Sequence, residues 1–110
     1  MFADVDNSAR IAQEEIFGPV LSVIPYDGES EAVRIANDSE YGLGGSVWSA
    51  DSEHAKSVAD KVDSGTVGVN GYMPSLGAPF GGIKASGIGR EFGPEAVGAY
   101  QKLKSIYVMG

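Results

Sequence analysis

Apolar positions along the chain fall into short blocks separated by polar or turn-forming residues. Val20 to Tyr26 is apolar and bounded by Gly18-Pro19 and Asp27-Gly28, which predicts a strand. It has few alternating polar positions, as expected of a strand covered on both faces. From Ser30 to Asn37, the residues Ala32, Val33, Ile35 and Ala36 recur at helical spacing, and Gly42 lies beyond the end. Leu43 to Ser49 is a second apolar run and a second predicted strand. Asp51 or Ser52 can then cap a helix carrying Ala55, Val58, Ala59 and Val62 at i, i+3, i+4 and i+7. Gly65 stops that helix, and Thr66 to Asn70 is a third strand. Gly71 to Gly93 has no periodicity, is rich in glycine and is interrupted by Pro74 and Pro79. Such a stretch is usually a functional loop or a disordered one. Pro94 suits the first turn of a helix running through Gln101. Lys104 to Met109 closes the chain as a strand with alternating Ile106 and Val108.

Strand, helix, strand, helix, strand with short connections predicts an α/β fold, in which parallel strands are joined by right-handed crossovers. The expected organisation is a partial βαβαβ unit over residues 13–70, a long glycine-rich loop over 71–93, and a helix with a terminal strand over 94–110. Two helices are too few to cover both faces of a parallel sheet. The pattern therefore calls for partners outside these 110 residues.

Composition narrows the partners. A chain of 110 residues with 43% hydrophobic content is one globular domain at most. Its net charge of −7 argues against nucleic acid and anionic membrane surfaces, which need a cationic face. No apolar run is long enough to span a bilayer. Met1 to Arg10 holds two aspartates and no apolar stretch, unlike a secretory signal. There is no cysteine, hence no disulfide and no thiolate metal site. A cytoplasmic protein is the expectation. Asn37-Asp38-Ser39 fits a glycosylation acceptor but reads as a helix terminus.

The glycine motifs do not make a nucleotide site. Gly42-Leu43-Gly44-Gly45 leads into a strand, where a dinucleotide fingerprint must lead into a helix. Gly77 and Gly82 have P-loop spacing, but Ile83 stands where lysine is needed. Gly81-Gly82 with Lys84 could form an anion-binding nest, against the plainer reading of a tight loop. The single histidine, His54, lies on the polar side of its helix, and metal ligation needs several ligands, so no metal site is expected. Trp48 and Tyr41 read as core or helix-packing residues. Glu15 stands before Gly18-Pro19. An ionised carboxylate can accept both hydroxyls of a ribose, and in an extended stretch Phe17 would point the same way.

Several segments together carry a family resemblance. They are Gln13-Glu14-Glu15-Ile16-Phe17-Gly18-Pro19-Val20, Asn37-Asp38-Ser39-Glu40-Tyr41-Gly42-Leu43 and Gly65-Thr66-Val67-Gly68-Val69-Asn70. The longest runs from Ala78-Pro79-Phe80-Gly81-Gly82-Ile83-Lys84 through Ser86-Gly87-Ile88-Gly89-Arg90-Glu91. In order and spacing, residues 13 to 108 resemble the carboxy-terminal portion of NAD(P)-dependent aldehyde dehydrogenases. The resemblance implies a reaction in which a thiolate attacks an aldehyde, hydride passes to NAD or NADP, and the thioester is hydrolysed to the acid. It implies that Glu15 bonds the nicotinamide-ribose hydroxyls and that Phe17 packs beside that ribose and ring. Tyr72, Met73, Leu76 and Phe80 become substrate-tunnel candidates, with Phe80 anchored in its motif. Arg90 and Glu91 become structural tethers. Tyr100 to Val108 resembles a strand that pairs with an oligomerisation arm, implying a homo-oligomer.

The family's catalytic cysteine, general-base glutamate and oxyanion asparagine have no counterpart in these residues, so no catalytic residue is expected here. The chain would supply cofactor and tunnel contacts, with the remainder of the dehydrogenase and an aldehyde as its partners. The alternative is a non-catalytic assembly module that self-associates or complements a separate amino-terminal half.

Overall fold

A computed structural model describes all 110 residues, Met1–Gly110. The elements are α1 (Arg10–Gln13), α2 (Glu29–Asn37), β1 (Tyr41–Gly42), β2 (Gly45–Val47), α3 (Ser52–Ala59), β3 (Val67–Val69), β4 (Ile83–Lys84) and a 3-10 helix (Pro94–Tyr100). β2 and β3 pair in parallel, with Gly45, Ser46 and Val47 opposite Val67, Gly68 and Val69. α3 makes the crossover and packs against both strands. Asp51 caps α3 as expected, its Oδ1 accepting from the amides of Glu53 and His54, both at 3.0 Å. Ala55, on the apolar stripe of α3, is fully buried. The chain is thus mixed α/β, with one βαβ unit at its centre.

The expected first strand does not join that sheet. Val20 to Tyr26 has one bridging residue, Ser22, paired in parallel with Phe2. Its hydrogen-bonding groups go to the amino-terminal segment instead. Phe2 N–H donates to Leu21 at 2.8 Å, Val23 N–H to Phe2 at 2.8 Å, and Val5 N–H to Val23 at 3.1 Å. Pro25, which has no N–H, limits any longer ladder.

The glycine-rich stretch is not structureless. β4 pairs antiparallel with β1, placing Tyr41 opposite Lys84 and Gly42 opposite Ile83. Phe80 and Glu91 exchange both backbone hydrogen bonds at 2.7 Å, and the Phe80 and Phe92 rings lie 6.1 Å apart. Arg90 Nη1 donates to the carbonyls of Gly82 (2.6 Å) and Gly89 (2.8 Å), fulfilling its expected tethering role. Glycine is required where backbones touch: a Cβ on Gly65 would overlap the carbonyl oxygen of Gly81.

The carboxy-terminal end also differs from expectation. The helix opened by Pro94 is 3-10 and ends at Tyr100. No strand forms over Lys104 to Met109, because nothing in the chain pairs with it. Leu103 is 100% exposed, and Ile106, Tyr107, Val108 and Met109 are exposed as well.

Little of the chain is buried. Only Gly42, Ala55 and Gly82 are, and the Cα radius of gyration is 18.5 Å. A compact domain of this length measures about 13 Å. Uncovered apolar surface and unpaired edges recruit other chains. The charge of −7 opposes association, but at physiological salt its reach is only about 8 Å. The chain by itself is expected to self-associate or unfold in part at micromolar concentration. Ile106→Lys should reduce any association through the terminal segment. Analytical ultracentrifugation showing a compact monomer with a cooperative melt would contradict this and favour an independently folding module.

Candidate functional site

Glu15 and Phe17 follow α1 directly. α1 ends at Gln13, and its cap residue Glu14 turns back, accepting two hydrogen bonds from Arg10 (Nε and Nη2, each 2.8 Å). That pairing holds the Glu14 carboxyl below the ordinary glutamate range, the hydrogen bond from Arg10 being the main cause. Glu15 makes no side-chain hydrogen bond or ion pair. Its carboxylate lines a wide groove of ≈ 1050 Å³ together with Tyr26, Tyr41 and Trp48. Of two adjacent acidic residues lining this groove, Glu14 is committed to Arg10 and Glu15 has no partner in the chain.

Phe17 stands apart from this groove. It is 95% exposed and borders a smaller groove of ≈ 310 Å³ with Ile16, Val20 and Leu21. Its φ is +52°, so the stretch is not extended there and the expected alternation with Glu15 fails. The turn into Gly18-Pro19 begins one residue earlier than the glycine. Trp48, expected in the core, is 71% exposed on the wall of the larger groove, with its indole N–H donating to Ser46 at 3.0 Å. Tyr41 is likewise exposed. No periodicity distinguishes a groove-lining aromatic from a core one.

The four tunnel candidates do not converge on either groove. Tyr72 lies with its hydroxyl over Gly44, where a side chain would collide with it. Met73 and Leu76 are exposed, while Phe80 is partly covered and faces Phe92. Leu76 is fixed only through its carbonyl, which accepts from Gly93 at 3.1 Å.

Two polar clusters hold the elements around the groove. The Asn37 side chain, at the end of α2, donates to the Lys61 carbonyl (2.8 Å) and accepts from Asp63 N–H (2.7 Å). Its amide is therefore engaged, as the helix-terminus reading of Asn37-Asp38-Ser39 requires. Lys84 Nζ donates to the Asn37 carbonyl at 3.0 Å and pairs with Asp63 at 3.3 Å. This commitment removes Lys84 from any anion-binding nest with Gly81 and Gly82. At the other end of α2, Glu29 accepts from Lys61 Nζ at 2.6 Å and lies 3.1 Å from His54 Nε2. His54 on α3 thus approaches Glu29 on α2 rather than being simply solvated.

Asn70 was legible only as the end of a strand. Its Oδ1 accepts from Ser49 N–H at 2.8 Å, and its Nδ2 donates to the Ser49 carbonyl at 2.9 Å. The side chain thereby prolongs the link between the two strands, one residue past β3 and two past β2. An asparagine ahead of a glycine at a strand end was the available clue.

Comparison with known proteins matches residues 1–106 to the model of the Aldehyde dehydrogenase family. Geranial dehydrogenase of Castellaniella defragrans is 68% identical over 110 residues, which are 100% of this chain and 23% of that protein. Betaine aldehyde dehydrogenase of Rhizobium leguminosarum is 47% identical over 98% of this chain and 22% of its own length. Among solved structures, an aldehyde dehydrogenase of Mycobacterium tuberculosis complexed with NAD+ superposes with a TM-score of 0.89. It is 52% identical, over 97% of this chain and 23% of that one. The chain spans less than a quarter of the length of these relatives.

The Glu29 cluster has a pH dependence of defined sign. The hydrogen bond from Lys61 is the chief cause holding the Glu29 carboxyl below the ordinary glutamate range. A depressed carboxyl stabilises fully above its unfolded value, and the contribution fades as pH falls through the depressed one. Acidification into that window should therefore loosen the α2–α3 brace. Amide hydrogen exchange across α2 should show this, and Glu29→Gln should flatten the profile there. An unchanged profile in the variant would contradict the assignment.

Proposed function

The chain belongs to the aldehyde dehydrogenase family, and from that premise we propose that it forms the nicotinamide-ribose and substrate-tunnel contacts of an enzyme oxidising an aldehyde with NAD(P)+. The observation that carries this reading is the unengaged Glu15 carboxylate beside a neighbouring Glu14 already paired with Arg10. A carboxylate with both oxygens available can accept the two vicinal hydroxyls of a ribose. The exposed Phe17 ring, two residues on and bordering a separate groove, leaves an apolar face free for the ring of a bound cofactor. These residue types fit the cofactor, and the solved Mycobacterium relative holds NAD+. Bound there, the cofactor would supply the hydride acceptor, while this chain's residues would position the ribose.

Tyr72, Met73, Leu76 and Phe80 would line the tunnel for the aldehyde. Their apolar character suits an apolar substrate, of the kind that the name of the 68% identical relative specifies. Residues 104–109 would pair as a strand in an oligomer. Their exposed apolar side chains and their lack of hydrogen bonds within the chain support that role. The thiolate, the general base and the dinucleotide-binding fold would come from the rest of the enzyme.

Two outcomes test the reading. In the intact enzyme, Glu15→Gln should slow hydride transfer more than it weakens cofactor binding, by about 1–3 kcal/mol in the barrier. The amide keeps one contact but loses the anionic, bidentate acceptor. Pre-steady-state hydride transfer at the parent rate would refute the role. The 110-residue chain alone, lacking any cysteine, should form no NAD(P)H from aldehyde and NAD(P)+. Absorbance-detected turnover persisting after rigorous removal of host enzymes would overturn this.

A further inference from the structure

We propose that Asn70-Gly71 is a site of spontaneous deamidation, and that the reaction opens the clamp between the end of β3 and Ser49. Three observations single it out. Asn70 is exposed, so water reaches it. Gly71 presents no side chain, and its backbone N–H donates to no acceptor in the chain, leaving that nitrogen uncommitted. The other two asparagines precede bulkier residues, Asn7 before Ser8 and Asn37 before Asp38. Both of those are also partly covered, whereas Asn70 is exposed.

The chemistry needs only water. The Gly71 backbone nitrogen attacks Cγ of Asn70. The Cγ–Nδ2 bond breaks, ammonia leaves with the proton lost by the attacking nitrogen, and a cyclic imide remains. Water then opens either carbonyl, giving aspartate or its isomer with the backbone routed through Cγ. The net change replaces NH2 by OH. Ser49 holds both Nδ2 and Oδ1, so turning Cγ toward Gly71 requires the clamp to loosen and slows the reaction in the folded chain.

The product cannot close the clamp again. An aspartate at position 70 has no donor for the Ser49 carbonyl, and it cannot approach Ser49 N–H without bringing its second oxygen against that carbonyl. Two oxygens with facing lone pairs replace the hydrogen bond of 2.9 Å. The isomerised product adds a methylene to the backbone where Asn70 holds a φ of +54°. Either product detaches Ser49, and with it the link from β2 to the cap of α3, whose residue Asp51 donates its N–H to Ser49 Oγ at 3.1 Å.

The test uses the intact enzyme that contains this chain, aged at mildly alkaline pH and digested for peptide mass mapping. The expected result is the mass gain of NH2 to OH at residue 70 before any at Asn7 or Asn37. It should separate into two products and develop more slowly than in denatured enzyme. Gly71→Ala should slow conversion severalfold without lowering the melting midpoint. In the converted fraction, the Ser49 amide should lose its protection from hydrogen exchange. No gain at residue 70 during complete conversion of the denatured enzyme would overturn the proposal, as would earlier conversion of Asn7 or Asn37. Conversion that leaves Ser49 protected would overturn the clamp release. These readouts are independent of catalysis, so they stand or fall separately from the cofactor assignment.

Discussion

The Asn37 side chain is the point on which the arrangement depends. It ties the end of α2 to the turn between α3 and β3, and the backbone carbonyl of the same residue receives Lys84 from β4. Three segments distant in sequence meet there through polar groups, not through a core. A hydrogen bond of this kind contributes about 1 kcal/mol net. Ordering each residue costs about as much or more in backbone entropy. With three residues buried, polar links alone cannot offset that cost. The geometry makes sense as one wall of a larger body whose apolar groups are covered from outside.

The glycine-rich region shows how such a wall is kept thin. Gly65 meets the Gly81 carbonyl and Gly68 meets that of Gly71, so main chain packs on main chain with no layer of side chains between. Arg90 then fastens the path by gripping the carbonyls of Gly82 and Gly89. The segment carrying Tyr72 through Phe80 therefore leaves a braced frame. Its apolar side chains, Met73 and Leu76 above all, point outward.

Local signals were legible in the sequence wherever a local interaction decides the structure. The apolar stripe of α3, its Asp51 cap and the parallel pairing of β2 with β3 follow from spacing and turn residues. Long-range choices were not legible. Val20 to Tyr26 has a strand's composition, yet nothing in it specifies the Phe2–Val5 segment as partner over β2. β4 is only two residues long and sits in a run without alternation, so its pairing with β1 leaves no periodic trace. At the candidate site, residue type gives Glu15 as a carboxylate able to accept two hydrogen bonds, and the structure leaves it without a partner in the chain. That Glu14 is occupied depends on the four-residue spacing to Arg10 within α1, a helix too short to announce itself. The turn at Phe17 contradicts the usual preference of bulky residues, which is why its direction could not be read.

That same turn has a cost with no visible return. Holding an L-residue other than glycine in the left-handed region costs about 1–2 kcal/mol. Gly18 sits next door and would bear the conformation freely. The aromatic ring gains nothing from the chain in exchange, being 95% exposed. Backbone energetics alone would place glycine at position 17. A phenylalanine there is a spring held open against the fold's own preference, with no contact of its ring among these 110 residues to balance the tension.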